Sequence, residues 1–187
     1  KTGSAGHAMN FAGRVNTNTA FIALGSNLGD RRAMINAAIG ALQNHTGIEV
    51  VSVSDLIETE PVGPGDQPRY LNAAAELRTT LSPRELLEGC LAIEHHLGRD
   101  RSTSTRWGPR TIDIDLLLFS NRIINEPGLC VPHPHMHERT FVLRPLSQIA
   151  PQFVHPVLGL TIESLLRRAD FMPENADGAN RMVSPGY

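Results

Sequence analysis

The chain predicts an α+β fold of the ferredoxin-like βαββαβ type, an antiparallel sheet within three α/β/α layers, with extra strands and helices after the core. Three observations carry this expectation. Apolar runs of strand and helix period follow one another as strand, helix, strand, strand, helix, strand. Two strands succeed each other directly across Ile48–Thr80, which weighs against the alternative of a doubly wound nucleotide fold. The chain has 187 residues, 41% apolar and 19% charged, enough for one core with tails.

The elements follow in order. Lys1–Thr19 is polar and Gly/Ala/Asn-rich, so residues 1–19 are expected to be a flexible leader before a domain over 20–170. Phe21-Ile22-Ala23-Leu24 is a strand, closed by the turn Gly25-Ser26-Asn27-Leu28-Gly29, with Asp30 as a helix cap. Ala33, Ile35, Ala38, Ile39 and Leu42 recur as one face of a helix that ends near Gly47. Ile48–Ile57 is rich in β-branched residues and reads as a strand. Thr59–Arg69, broken by Pro61, Pro64 and Pro68, must be a loop, and Tyr70–Thr80 is the next strand.

Ser82-Pro83-Arg84-Glu85 is a capping box with proline in the first turn, opening a helix to about Leu97. A loop over Gly98–Pro109 leads into the strand Thr111–Phe119, and Asn121-Arg122 is expected to turn a hairpin into Ile123-Ile124. Short helices are expected near Arg139–Ile149 and Thr161–Arg168, and residues 171–187 read as a tail or linker.

Composition excludes several classes. No apolar run approaches the roughly 18 residues of a membrane span, and a net charge of −2 offers no general attraction to nucleic acid or membrane. Two cysteines, Cys90 and Cys130, make no disulfide framework and suit a cytoplasmic protein. With nine aromatics and none clustered on one strand, an RNA-binding sheet is disfavoured.

The sharpest chemical feature is Asp113-Ile114-Asp115. On a strand, Ile112, Ile114 and Leu116 would face the core while both carboxylates share the opposite face. Such a pair suits hard cations held together with substrate phosphates. Arg99, Arg101, Arg106 and Arg110 precede it, the fork-shaped donors that phosphate binding favours. His133, His135 and His137 alternate, but Pro134 argues against a zinc-binding strand.

The blocks Thr59-Glu60-Pro61-Val62-Gly63-Pro64, Tyr70-Leu71-Asn72-Ala73-Ala74, Arg106-Trp107-Gly108-Pro109-Arg110-Thr111-Ile112-Asp113-Ile114-Asp115 and Val131-Pro132-His133-Pro134 resemble the 6-hydroxymethyl-7,8-dihydropterin pyrophosphokinase family. The resemblance runs from about Phe21 to Ala169. It implies transfer of pyrophosphate from ATP to the pterin alcohol, with two Mg²⁺ ions. It also implies a monomer, alone or joined to another folate enzyme. Asp113 and Asp115 would bind both ions. Glu94, Arg99, Arg101, Arg110, Leu116, His133 and Arg139 would contact ATP, with Arg99 and Arg101 acting in catalysis. Thr59, Val62, Tyr70, Asn72, Trp107 and Phe141 would form the pterin pocket. Gly128, Cys130 and Pro134 depart from the family pattern on the nucleotide side.

Overall fold

Strand β1, Asn18–Ser26, lies at the centre of the sheet because its residues feed apolar contacts to both faces. In this computed structural model residues 17–61, 66–99 and 108–171 are described. β2 (Ile48–Val53), β4 (Tyr70–Thr79), β1 and β5 (Asp113–Phe119) form an antiparallel sheet in that order, and the short β3 (Ile57–Thr59) also pairs with β4.

On one face Ile22, Leu24, Ala73, Leu77, Ile114 and Leu116 meet α1 (Arg31–Gln43) and α2 (Pro83–His96) through Ile35, Leu42, Leu86 and Ile93. On the other, Phe21, Ala74 and Leu118 meet α3 (Thr140–Ile149) and α4 (Ile162–Phe171) through Val142, Leu146 and Leu165. Period-two alternation along the strands is what divides the chain between these two clusters.

The helix starts follow the sequence signals. The Asp30 carboxylate accepts the Ala33 N–H at 3.0 Å, and Ser82 with Glu85 closes a reciprocal capping box. Each such cap contributes about 1 kcal/mol.

Four boundaries differ from expectation. The strand expected over Ile48–Ile57 is two strands, because Ser54 leaves the ladder and its hydroxyl accepts the Ala74 N–H at 2.9 Å. Asn121-Arg122 does turn, but Ile124 pairs with Val131 and not with β5. The hairpin is therefore β6 (Ile124–Glu126) with β7 (Leu129–Val131), turned at Gly128 with φ 72°. β1 starts at Asn18, inside the segment expected to be leader, since Asn18 and Thr19 pair with Thr79 and Arg78. β5 starts at Asp113, two residues later than expected.

One row of the sheet matters most. Gly25 on β1 stands opposite Asn72 on β4 and opposite Asp113 on β5, so three strands bring an amide, a bare backbone and a carboxylate abreast. Ala23 stands likewise opposite Asp115.

Candidate active site

The end of the sheet where this row lies is left open, and two cavities meet there. The first is lined by Gly25, Thr59, Tyr70, Asn72, Arg110, Asp113, Asp115, Arg139 and Phe141, among others. The second, about 640 Å³, takes in Asp115, Leu116, Asn125, Cys130 and His133. Asp115 belongs to both. The expected alternation on β5 is found: Ile112, Ile114 and Leu116 are buried in the core, and the two aspartates face the cavities.

The two carboxylates are held differently. Asp113 is clasped by Arg99 and Arg110, one at each oxygen. Burial pushes its pKa up, but the two guanidinium groups outweigh that and hold it below the usual range. Asp115 has no ion pair of this kind among the described residues. Burial and the adjacent Asp113 charge push its pKa up to about 6.

Behind Asp113 lies Glu94 on α2, only 1% exposed. Its Oε1 accepts both the Arg99 guanidinium and the Ile114 N–H, the latter at 2.7 Å. Glu94 thus bolts α2 to the strand between the two aspartates, and neither cavity is lined by it. The Nε of Arg99 is buried with no hydrogen-bond partner among the described residues, spare donor capacity beside the acids.

His133, which the resemblance makes an ATP contact, lines the second cavity. Burial, with Arg139 nearby, depresses its pKa to about 4, so it is neutral near pH 7. Its Nδ1 accepts the His135 N–H at 3.2 Å, which leaves the proton on Nε2. Among the described residues no three His, Cys, Asp or Glu side chains, the alternating histidines included, are grouped as metal ligands would be.

In the first cavity Asn72 donates to the Thr59 hydroxyl at 2.8 Å, which fixes the amide. A Cβ on Gly25 would come within 3.1 Å of the Asn72 Oδ1, so a larger residue here would press on the amide that lines the cavity. Tyr70 donates its hydroxyl proton to the Gly108 carbonyl at 3.3 Å, and burial raises its pKa. The Arg139 guanidinium lies 5.8 Å from the centre of the Phe141 ring.

The structure therefore gathers Thr59, Tyr70, Asn72, Arg110, Asp113, Asp115, Arg139 and Phe141 in one cavity. It places Leu116 and His133 in the other, with Glu94 and Arg99 behind. Val62, Arg101 and Trp107 lie outside the described residues, as does Arg106. Gly25 and Asn27 are the contributors that sequence reasoning passed over, having read Gly25–Gly29 only as a sharp turn. The signal available was a small residue and an amide at the end of a central strand.

Known proteins resemble the chain over most of its length. A family model described as 7,8-dihydro-6-hydroxymethylpterin-pyrophosphokinase matches residues 21–151. The 2-amino-4-hydroxy-6-hydroxymethyldihydropteridine pyrophosphokinase of Bacillus subtilis is 50% identical over 135 residues, 72% of this chain and 80% of that protein. The bifunctional protein FolKE of Lactococcus lactis is 40% identical over 131 residues, 70% of this chain but 37% of the longer protein. A crystal structure of HPPK-DHPS from Plasmodium falciparum aligns with a TM-score of 0.66 at 18% identity, a likeness of fold. That alignment covers 84% of this chain and 45% of the other, so the chain spans about half of it. With the family model matching residues 21–151, and half of the 135 aligned residues shared with the Bacillus enzyme, the chain belongs to the 7,8-dihydro-6-hydroxymethylpterin pyrophosphokinase family.

Proposed function

We propose that the two cavities are the pterin and nucleotide halves of one active site, joined at Asp113 and Asp115. As a member of its family the chain transfers pyrophosphate from ATP to 6-hydroxymethyl-7,8-dihydropterin in folate biosynthesis, with AMP as the other product. One observation carries the site assignment: Asp115 lines both cavities, so groups held in each would meet at its carboxylate.

In this reading Tyr70 and Phe141 flank the pterin ring, while Asn72 and Thr59, with Val62 and Trp107, recognise its edge. Leu116, His133 and Arg139 hold the nucleotide. The hydroxymethyl oxygen attacks the β-phosphorus and AMP leaves, a reaction that asks mainly for positioning and charge stabilisation. Arg99, Arg101 and Arg110 supply that stabilisation on the phosphate oxygens. Arg99 and Arg110 must turn from Asp113 to do so, which frees its carboxylate as the triphosphate arrives.

Magnesium fits the donor set. Asp113 and Asp115 offer carboxylate oxygens on one face, Asp115 lacks a close counter-charge among the described residues, and phosphate oxygens and water would complete the coordination. Two Mg²⁺ ions bound there would draw charge from the triphosphate and lower the pKa of the attacking hydroxyl.

The ferredoxin-like α/β/α domain expected over 20–170, its first strand now opening at Asn18, would act as a cytoplasmic monomer or beside another folate enzyme. The strand order β2-β4-β1-β5, with a helix pair on each face, supports this layering.

The test is a balance of products. With ATP, Mg²⁺ and the dihydropterin, AMP should appear in equal amount to pterin pyrophosphate. Release of phosphate without pterin would indicate a phosphohydrolase, and no turnover a binding module.

A second measurement separates the two halves. Offset stacking on an aromatic ring contributes roughly 0.5–1.5 kcal/mol beyond burial. With burial lost as well, Phe141→Ala should weaken pterin binding by about tenfold while nucleotide affinity changes little. Calorimetry with each ligand alone decides, and an equal fall in both affinities would remove the assignment.

A further inference from the structure

We propose that Asn27 is a positioning residue that locks the pterin half of the site to the phosphate half. The inference rests on the assignment of Tyr70 to the pterin and Arg110 to the phosphates.

Asn27 is 1% exposed at the end of β1, and a buried amide is costly unless its polar atoms are paired. Its Oδ1 accepts the Arg110 backbone N–H at 2.7 Å, and its own backbone N–H donates to the Arg110 carbonyl at 3.1 Å. Its Nδ2 donates to the Pro68 carbonyl at 3.3 Å and reaches the Gln67 Oε1 at 3.5 Å. One side chain therefore ties the residue that bears the phosphate-facing guanidinium to the segment that leads into Tyr70.

The anchor itself is rigid. Asn27 continues directly from β1, and Asp30 caps α1 three residues later. Arg31 adds a second tether, donating to the Arg69 carbonyl at 2.8 Å and pairing with Glu58 on β3. A further bond, from the Tyr70 hydroxyl to the Gly108 carbonyl, links the two segments directly.

A group that merely filled a turn would have no reason to bind at these two points. One end of the latch is Arg110, which lines the first cavity, and the other leads within two residues to Tyr70, so ordering one end lowers the cost of ordering the other. Nucleotide and pterin should accordingly favour each other's binding, through a coupling of the kind that typically amounts to about 5- to 150-fold.

The experiment compares wild type with Asn27→Ala and Asn27→Asp. The aspartate keeps the acceptor for the Arg110 N–H but loses the donor to Pro68. Calorimetry gives the affinity for pterin and for a non-hydrolysable ATP analogue with Mg²⁺, each alone and then together. Binary affinities should change less than about threefold, the coupling should fall to near one in both variants, and kcat should drop by about 10- to 100-fold. Amide hydrogen exchange without ligands should show Arg110 losing protection in Asn27→Ala and keeping it in Asn27→Asp.

Wild-type coupling retained in Asn27→Asp, or unchanged Arg110 exchange in Asn27→Ala, would overturn the latch. If the alanine variant does not fold, the aspartate variant decides alone. Failure of wild type to bind pterin or form AMP would refute the functional reading instead, and the exchange measurement would still judge the bracing of Arg110.

Discussion

Asp115→Ala should reduce pyrophosphate transfer by at least about a thousandfold, because it removes the one aspartate carboxylate that lines both cavities. The fold should survive. Asp115 is partly buried beside a like charge, and its pKa near 6 means that ionising it opposes folding. A raised carboxyl pKa contributes stability that is fully present below about pH 4, the unfolded value, and is lost as pH rises through about 6. Asp115→Asn should therefore be more stable than wild type at pH 8 and lose that advantage towards pH 4. Thermal unfolding across this range, without ligands, measures it. An advantage that grew on acidification would contradict the burial described.

Asp113→Asn should be equally inactive but less stable, since it strips the counter-charge from Arg99, which is 8% exposed, and from Arg110. Breaking a buried pair by removing one partner typically costs about 3–5 kcal/mol. Asp113's lowered pKa runs the other way from Asp115's: its stabilisation is present above about pH 4 and is lost as pH falls through the depressed value. Opposite signs for neighbouring aspartates are the signature to seek. Near-wild-type turnover in either purified variant would remove both carboxylates from the reaction.

Arg110→Ala carries the second large effect. Removing a single preorganised donor to developing charge commonly costs about 10²–10³ in kcat. Arg110 lines the cavity, faces Asp113 and has its backbone held by Asn27, so its head group can move while its base cannot. Arg110→Lys should recover little, because a point charge does not reproduce the two-pronged geometry. The loss should fall chiefly on kcat, since the guanidinium is engaged by Asp113 until phosphates draw it away. A variant whose KM for ATP rose with kcat unchanged would make Arg110 a simple binding contact.

Much of this was legible in the chain. Capping boxes, proline breaks and period-two alternation determine local structure, so the starts of α1 and α2 and the inward face of β5 could be read directly. The aspartate pair was visible because its spacing equals the strand period, and the resemblance supplied partners 40 or more residues away. What escaped were properties of packing. That Glu94 is sealed behind Arg99 depends on α2 lying against β5, and that His133 is neutral depends on its burial. The break at Ser54 was hidden because Ile57 has the β-branched character of the strand before it.

The row Asn72, Gly25, Asp113 makes the sheet a ruler. Adjacent strands lie about 4.8 Å apart, so the two outer backbones are separated by roughly 10 Å, about the span of a bicyclic ring with a one-carbon arm. Under the proposed assignment the amide would grip one end, the carboxylate would wait at the other, and glycine would leave bare peptide beneath the ring between them. Length selection would then be built into hydrogen-bonded pairing and not into any loop. A slip of β5 by a single residue would turn Asp113 and Asp115 into the core and present Ile114 instead. Substitutions that loosen this pairing should therefore destroy discrimination between pterin alcohols of different arm length before they unfold the protein.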